Sequence, residues 1–297
     1  MEIKKGYKQA EVGVIPMDWD VKNLLDNFTL KARIGWQGLT TEEYLSTGDY
    51  GLVTGTDFRD GYIDWDNCVY VEKIRYVQDK NIQLKVNDVL VTKDGTIGKV
   101  AFVNKLPNPT TLNSGIFVVR PKNPNIDERF FYYILMSSYF DIFLSKITAG
   151  STITHLYQKD FSTFNFILPP RFEQNAIAQV LSDTDSYINS LEKLIEKKSQ
   201  IKQGAMQELL KPKEGWIDIM LTDVVDFIHG KAHEQFIVEN GSYTVVNSKF
   251  ISSEGKVAKF SNYSFLTAKK NDLLTVLSDL PNGKALAKCF FVDLDNH

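Results

Sequence analysis

The chain has 297 residues, with 34 Lys plus Arg against 37 Asp plus Glu, for a net charge of −3. At 43% hydrophobic and 24% charged it has an ordinary globular composition, which excludes disorder, collagen and a coiled coil along the whole length. The length fits two domains or one large one, and the near-neutral balance argues against non-specific wrapping of nucleic acid.

The opening Met1-Glu2-Ile3-Lys4-Lys5-Gly6 lacks the apolar core of a signal peptide, and no stretch approaches 18 uninterrupted apolar residues. The expectation is a soluble cytoplasmic protein with no membrane partner. Cys68 and Cys289 are far apart and match no metal spacing, so both thiols are expected free.

From the start to about residue 168, short β-branched and aromatic runs alternate with Gly, Asn, Asp and Thr clusters. Strands are expected at 50–54, 69–72, 89–92, 100–103 and 116–120. One helix is expected at 128–146, where Phe131, Ile134, Leu135 and Ile142 recur at three- and four-residue intervals. From Thr92 to Lys122 five basic residues face one acid, a local basic stretch that the overall charge hides.

Pro169-Pro170 closes a strand at 164–168, and neither Gly nor Pro occurs from Arg171 to Gln203. Ala176, Ile177, Val180 and Leu181 form one apolar face. After the polar stretch Ser182 to Asp185, a second face begins with Ile188, Leu191, Leu194, Ile195, Ile201, Ala205 and Leu209. Its near-heptad spacing predicts a long helix of about 40 Å that packs along another helix, and Pro212 ends it.

Strand-like text resumes at Trp216, where an internal repeat emerges. Pro16-Met17-Asp18-Trp19 and Leu24-Leu25-Asp26 resemble Pro212 to Trp216 and Leu221-Thr222-Asp223. Asn87-Asp88-Val89-Leu90 resembles Asn271-Asp272-Leu273-Leu274, and Gly98-Lys99 falls opposite Gly283-Lys284. One module therefore recurs at a period of about 190 residues. The second copy is incomplete, with His297 opposite position 112, so the rest of the module and a second long helix are missing from it.

Three loops carry polar chemistry. Asp94-Gly95-Thr96-Ile97-Gly98-Lys99, between two expected strands, has the Gly and Lys content that lets backbone approach a phosphate. A plain hairpin turn with two exposed lysines is the alternative, and it is no Walker loop, since Lys93 and Val100 occupy required positions. The 149–155 segment offers Ser151, Thr152 and His155, with helix caps as the alternative. Arg33, Trp36 and Gln37 in the 31–38 loop match guanine, packing and adenine contacts, with a solvated loop as the alternative.

His229 and His233 lack a third ligand, and Glu196-Lys197-Lys198 lies on a helix of alternating charge. No Asn-Pro-Pro-aromatic tetrapeptide and no nucleophile elbow occurs, so no catalytic constellation and no metal site are assigned.

The repeated strand-rich module with a P-x-x-W start, an ND-hydrophobic strand leading into DGTIGK, then GST and LPPRFEQNAIAQVL resembles the specificity subunit of Type I restriction–modification systems. Leu168-Pro169-Pro170 with Glu173-Gln174 and Ile177-Ala178 carries it most specifically. The resemblance implies an α/β target recognition domain at 1–168 with mixed and antiparallel strands, a conserved helical spacer at 169–212, and a partial second recognition domain at 213–297. It implies a non-catalytic subunit that reads a split sequence in double-stranded DNA and docks modification and restriction subunits. S-adenosylmethionine, ATP and Mg would belong to those partners, with no cofactor bound by this chain.

Loop chemistry assigns phosphate contacts to Lys93, Lys99 and Ser151, and base-edge contacts to Arg33, Gln37, Arg59 and Asn113. Trp36, Thr96, Thr152 and His155, with Lys249 and Lys284 in the second copy, complete the DNA-binding set. The missing second helix leaves Ile188, Leu191, Leu194, Ile195, Ile201 and Leu209 for a homodimer through the long helix. The alternatives are a fragment that captures modification subunits without reading DNA, and a stand-alone DNA-acting enzyme.

Overall fold

The computed structural model describes residues 3–148, 155–232, 234–278, 283 and 285–293. Two compact units divide at Leu209 and Leu210.

The first unit begins with β1 (Tyr7–Ala10), β2 (Gly13–Pro16), β3 (Asp20–Asn23), α1 (Leu24–Asn27), β4 (Phe28–Lys31) and β5 (Gly51–Val53). It continues with β6 (Phe58–Arg59), β7 (Tyr62–Ile63), β8 (Val69–Tyr70), α2 (Lys73–Val77), β9 (Val89–Thr92) and β10 (Val100–Phe102). Then follow β11 (Thr110–Leu112), β12 (Ile116–Pro121), α3 (Glu128–Leu135), α4 (Ser138–Thr148), α5 (Gln158–Phe161), β13 (Asn165–Leu168) and α6 (Arg171–Leu209).

A mixed six-stranded sheet orders β4-β12-β9-β10-β7-β6, antiparallel except where β10 meets β7. It divides two cores by the period-2 alternation of its strands. Val89, Val91, Phe102, Phe117 and Val119 point into one core with α3, α4 and α5, and Leu90, Ala101, Ile116 and Val118 into the other. Because both faces are covered, these strands read as continuous apolar runs. Phe28, Phe131 and Phe166 pack together in the first core, with Phe28 and Phe131 centroids 3.9 Å apart and Phe166 edge-on to both. The second core is closed by the sheet β11-β5-β8, where β5 runs parallel to β11.

Two helical expectations change. The 128–146 helix is two helices, α3 and α4, because the chain turns at Met136 and Ser137 and the Ser137 hydroxyl donates to the Ile134 carbonyl at 2.7 Å. The two faces from Ala176 and from Ile188 belong to one unbroken helix, α6, of 39 residues and about 58 Å. The polar stretch does not break it: Thr184, Ser186 and Ser190 hydroxyls donate to carbonyls four residues back, at 2.8 Å each.

The root of α6 is fastened to the first unit. Trp19 Nε1 donates to Glu173 at 2.9 Å, Arg171 pairs with Asp127 at 3.2 Å, and the buried Gln174 accepts from Asp127 N–H and donates to the Pro169 carbonyl. Every residue from 186 to 209 is exposed.

The second unit contains β14 (Ile237–Val238), β15 (Tyr243–Val245), α7 (Ser248–Ser252), β16 (Lys259–Ser261), β17 (Leu273–Thr275) and β18 (Cys289–Phe291). The repeat extends to individual hydrogen bonds. Asn87 and Asn271 both adopt left-handed backbone, at φ 73° and 76°. Asp88 and Asp272 accept from Lys85 N–H and Lys269 N–H at 2.7 Å each, and Asn87 N–H and Asn271 N–H donate to the Val103 and Val292 carbonyls at 2.8 Å each. β9 pairs with β10 as β17 pairs with β18.

The repeat's alignment is corrected at the turn. Gly98 N–H donates to the Thr92 carbonyl as Ala287 N–H donates to the Val276 carbonyl. Both residues are left-handed, so Ala287-Lys288, not Gly283-Lys284, stands opposite Gly98-Lys99. Ten positions, 277–286, separate Val276 from Ala287 in the sequence, against five, 93–97, between Thr92 and Gly98, which displaced the sequence register.

Candidate nucleic-acid interface

β5, β9 and β11 end, and β12 begins, on the same side of the first unit. The register sets this: β5 and β11 run parallel with Val53 beside Leu112, and Thr92 lies opposite Ile116. The loops that follow are therefore neighbours, and hydrogen bonds tie them. Asn113 N–H donates to the Val53 carbonyl at 2.9 Å, Lys93 N–H to the Gly115 carbonyl at 2.8 Å, and Leu156 N–H to the Lys93 carbonyl at 2.7 Å. Lys31 joins them because Val118 pairs with it across β12 and β4.

The 93–99 loop is held on three sides. Thr92 Oγ1 donates to the Thr96 carbonyl and accepts from Lys99 N–H at 2.9 Å. Asp94 pairs with His155 Nδ1 at 2.5 Å. Gly98, at φ 82°, lies so close to Leu144 of α4 that an added Cβ would overlap that side chain. Both the positive φ and the close approach require glycine here. Thr96 and Lys99 are left exposed, and the Lys93 ammonium sits 5.6 Å from the Phe117 ring centroid.

Around it lie Lys31, Tyr157 and Lys159, with Lys159 Nζ 5.6 Å from the Tyr157 ring. Among the described residues neither Lys31 nor Lys99 carries an ion pair. Asp57 is buried beneath the 54–57 turn, capping Thr54 N–H at 2.7 Å, and burial pushes its carboxyl above the ordinary range. Lysine ammonium, threonine hydroxyl and asparagine amide at one sheet end make a surface suited to a polyanion with polar base edges.

The stretch 16–203, which contains this sheet, its loops and most of α6, matches the Type I restriction modification DNA specificity domain. The chain belongs to that family. It is similar to the Type I restriction enzyme MjaVIII specificity subunit of Methanocaldococcus jannaschii, 27% identical over 244 residues, covering 77% of this chain and 54% of that protein. Against the EcoBI specificity subunit of Escherichia coli it is 24% identical over 182 residues, covering 61% and 38%. The chain spans about half the length of the curated relatives it matches. A solved S subunit from M. genitalium shares the fold with a TM-score of 0.53 at 17% identity, covering all of this chain and 73% of that one.

Within the specificity domain several sequence-assigned residues are placed differently from expectation. Arg33 is 1% exposed: Nε donates to the Leu112 carbonyl at 2.8 Å and Nη2 to Thr111 Oγ1 at 3.1 Å. Burial, then the adjacent Arg75, holds its guanidinium below the usual value. It braces the loops from beneath and cannot reach a base edge from there. Arg75 continues the brace, donating to the Gly38 carbonyl and pairing with Glu43 at 2.7 Å, so the Gly35–Gln37 turn that includes Trp36 is pinned. Gln37 is 7% exposed, so its side chain is mostly covered as well.

Asn113 lies at the loop cluster, its amide donating to the Tyr44 hydroxyl at 2.6 Å and its Oδ1 accepting from Ser114. Arg59 is 73% exposed, but Asp64 at 3.4 Å and Asp60 at 4.0 Å counter its charge. The basic stretch 92–122 is divided. Arg120 is spent on Asp88 at the opposite end of the sheet, in a two-pronged pair at 2.6 Å, and the Lys122 ammonium donates to the Leu25 carbonyl.

In the second unit Lys249 is exposed on α7. Ser151, Thr152 and Lys284, like His233, lie outside the described residues. Among those described, no group of three or more His, Cys, Asp or Glu is placed to hold a metal, and no helix is long and apolar enough to cross a membrane. Thr54, Tyr157 and Lys159 carried no local signal: strand register brings Thr54 to this face, and the Leu156–Lys93 hydrogen bond brings the 157–159 segment.

Proposed function

We propose that the chain is a non-catalytic DNA-reading subunit whose first unit contacts one half of a split target through the loop face at the ends of β5, β9 and β11. The observation that carries this is the convergence there of Lys31, Lys93, Lys99 and the Thr96, Asn113 and His155 side chains within a DNA specificity domain. Lysines take phosphates and set the register, while Thr96 and Asn113 face bases. Arg33 acts indirectly, by holding this face in shape. Lys249 belongs to a corresponding face of the second unit.

The same reading gives α6 the docking of modification and restriction subunits in the cytoplasm, with S-adenosylmethionine, ATP and Mg in those partners. Its exposed seam of Ile188, Leu191, Leu194, Ile195, Ile201 and Leu209 supports pairing with the same helix of a second copy.

The test is methyl transfer from labelled S-adenosylmethionine to random-sequence DNA by this chain with its cognate modification subunit, followed by sequencing of modified sites. A split motif is expected, palindromic if two copies pair. Co-purification with modification that shows no sequence preference would overturn the reading role and leave a docking element.

A further inference from the structure

Beyond Gln174, Ile177 and the buried Ala178 pack α6 against the first core, and among the described residues one further side-chain hydrogen bond ties the helix to α3. The Tyr133 hydroxyl, on α3, donates to Asp185 Oδ2 at 2.7 Å. Asp185 belongs to the polar stretch that interrupts the apolar pattern, and it is half-buried while its neighbours Asp183 and Thr184 are exposed. The Tyr133 ring is itself held, 4.8 Å from the Tyr132 ring, and Tyr132 is buried in the core. Gly61, at φ 78°, leaves the room that the Tyr132 hydroxyl occupies, since an added Cβ there would overlap it.

A rod held at one end swings, whereas a rod held at two separated points has its direction set. Gln174 and Asp185 are about 16 Å apart along the helix, and about 36 Å of exposed helix extends beyond Asp185. A tilt of about 10° about the root would carry the far end about 9 Å, roughly two to three base pairs of duplex. From this we infer that the Tyr133–Asp185 hydrogen bond is a positioning clamp that aims α6 and so determines which half-site separation the assembled protein accepts. The clamp rests only on the geometry of the first unit. Its consequence for spacing rests on the split-target reading proposed above.

Two measurements on the full chain separate these levels. In the first, spin labels on unnatural amino acids at positions 105 and 203, diluted with unlabelled protein, report the distance between sheet and rod by pulsed electron resonance. Tyr133→Phe and Asp185→Ala are expected to widen the distribution by several ångströms, and Asp185→Asn, which keeps an acceptor for the hydroxyl, to restore it. An unchanged width in Tyr133→Phe would overturn the clamp.

The second is methylation, with the modification subunit, of a DNA library in which half-site sequences are constant and their separation varies. Tyr133→Phe is expected to spread modification to separations one or two base pairs away while leaving half-site preference and melting temperature near those of the parent. A widened distance distribution with unchanged separation preference would overturn the specificity role. Absence of any half-site preference in the parent chain would instead defeat the split-target reading, and the distance measurement would still decide the clamp.

Discussion

Arg33 and Arg120 show how similar side chains acquire different tasks from their surroundings. Arg120 forms a bidentate pair with the buried Asp88 and also donates to the Asn81 carbonyl at 2.8 Å and the Gln83 carbonyl at 2.7 Å. Removing the arginine leaves the buried Asp88 carboxylate unmatched, so Arg120→Ala should cost about 3–5 kcal/mol in urea unfolding. Arg33→Ala should remove about 2–4 kcal/mol, because the Leu112 carbonyl and the Thr111 hydroxyl lose their donor. In DNA-binding titrations it should weaken all sequences alike, as a brace would and a base reader would not. Lys99→Ala should also weaken all sequences, and it should lower the salt slope of log K by about one unit. Cys68 lies close to Asp57 and Asp64, and burial with those carboxylates pushes its thiol up to about 12, whereas Cys289 is exposed. A thiol reagent at neutral pH should therefore label Cys289 first, which mass spectrometry of the labelled peptides would reveal.

Among the elements, the two hairpins β9–β10 and β17–β18 match in pairing, while their connections differ in length and in the residue at the left-handed position. Glycine meets the left-handed requirement at Gly98, and alanine meets it at Ala287 with φ 59°. A left-handed non-glycine costs about 1–2 kcal/mol, so Ala287→Gly should stabilise the second unit by about 1 kcal/mol in its thermal transition. Gly98→Ala should have the opposite sign, because the methyl would also strike Leu144. The long helix follows a different rule. Its hydroxyl-rich segment reads as a break in periodicity, yet back-bonded serines and threonines continue the helix, and Asp185 finds Tyr133 only because α3 lies alongside.

For the molecule as a whole, the repeat makes the second unit a partial copy of the first in its hydrogen bonds as well as its sequence. The long helix ends the first unit with its apolar seam in solvent. Leu191→Glu with Ile195→Glu should abolish any self-association seen by sedimentation at micromolar concentration while leaving unfolding of the first unit unchanged, since both side chains are exposed within it.

Strands β5, β8, β9, β10 and β12, the α/β class, the helix after Pro170 and the repeat were all legible in the sequence. Each rests on a local period or a local turn, which a chain carries regardless of its neighbours. The family was legible too, from the order of such elements. The site was legible only in part. Lys99 and Thr96 lie in a loop whose exposure follows from its turn chemistry, but the burial of Arg33 and the partner of Arg120 depend on residues about eighty and thirty positions away in sequence. Tertiary structure alone decided those, along with the Tyr133–Asp185 bond, because a charged or polar side chain takes its role from whichever donors and acceptors the sheet register brings within about 3 Å.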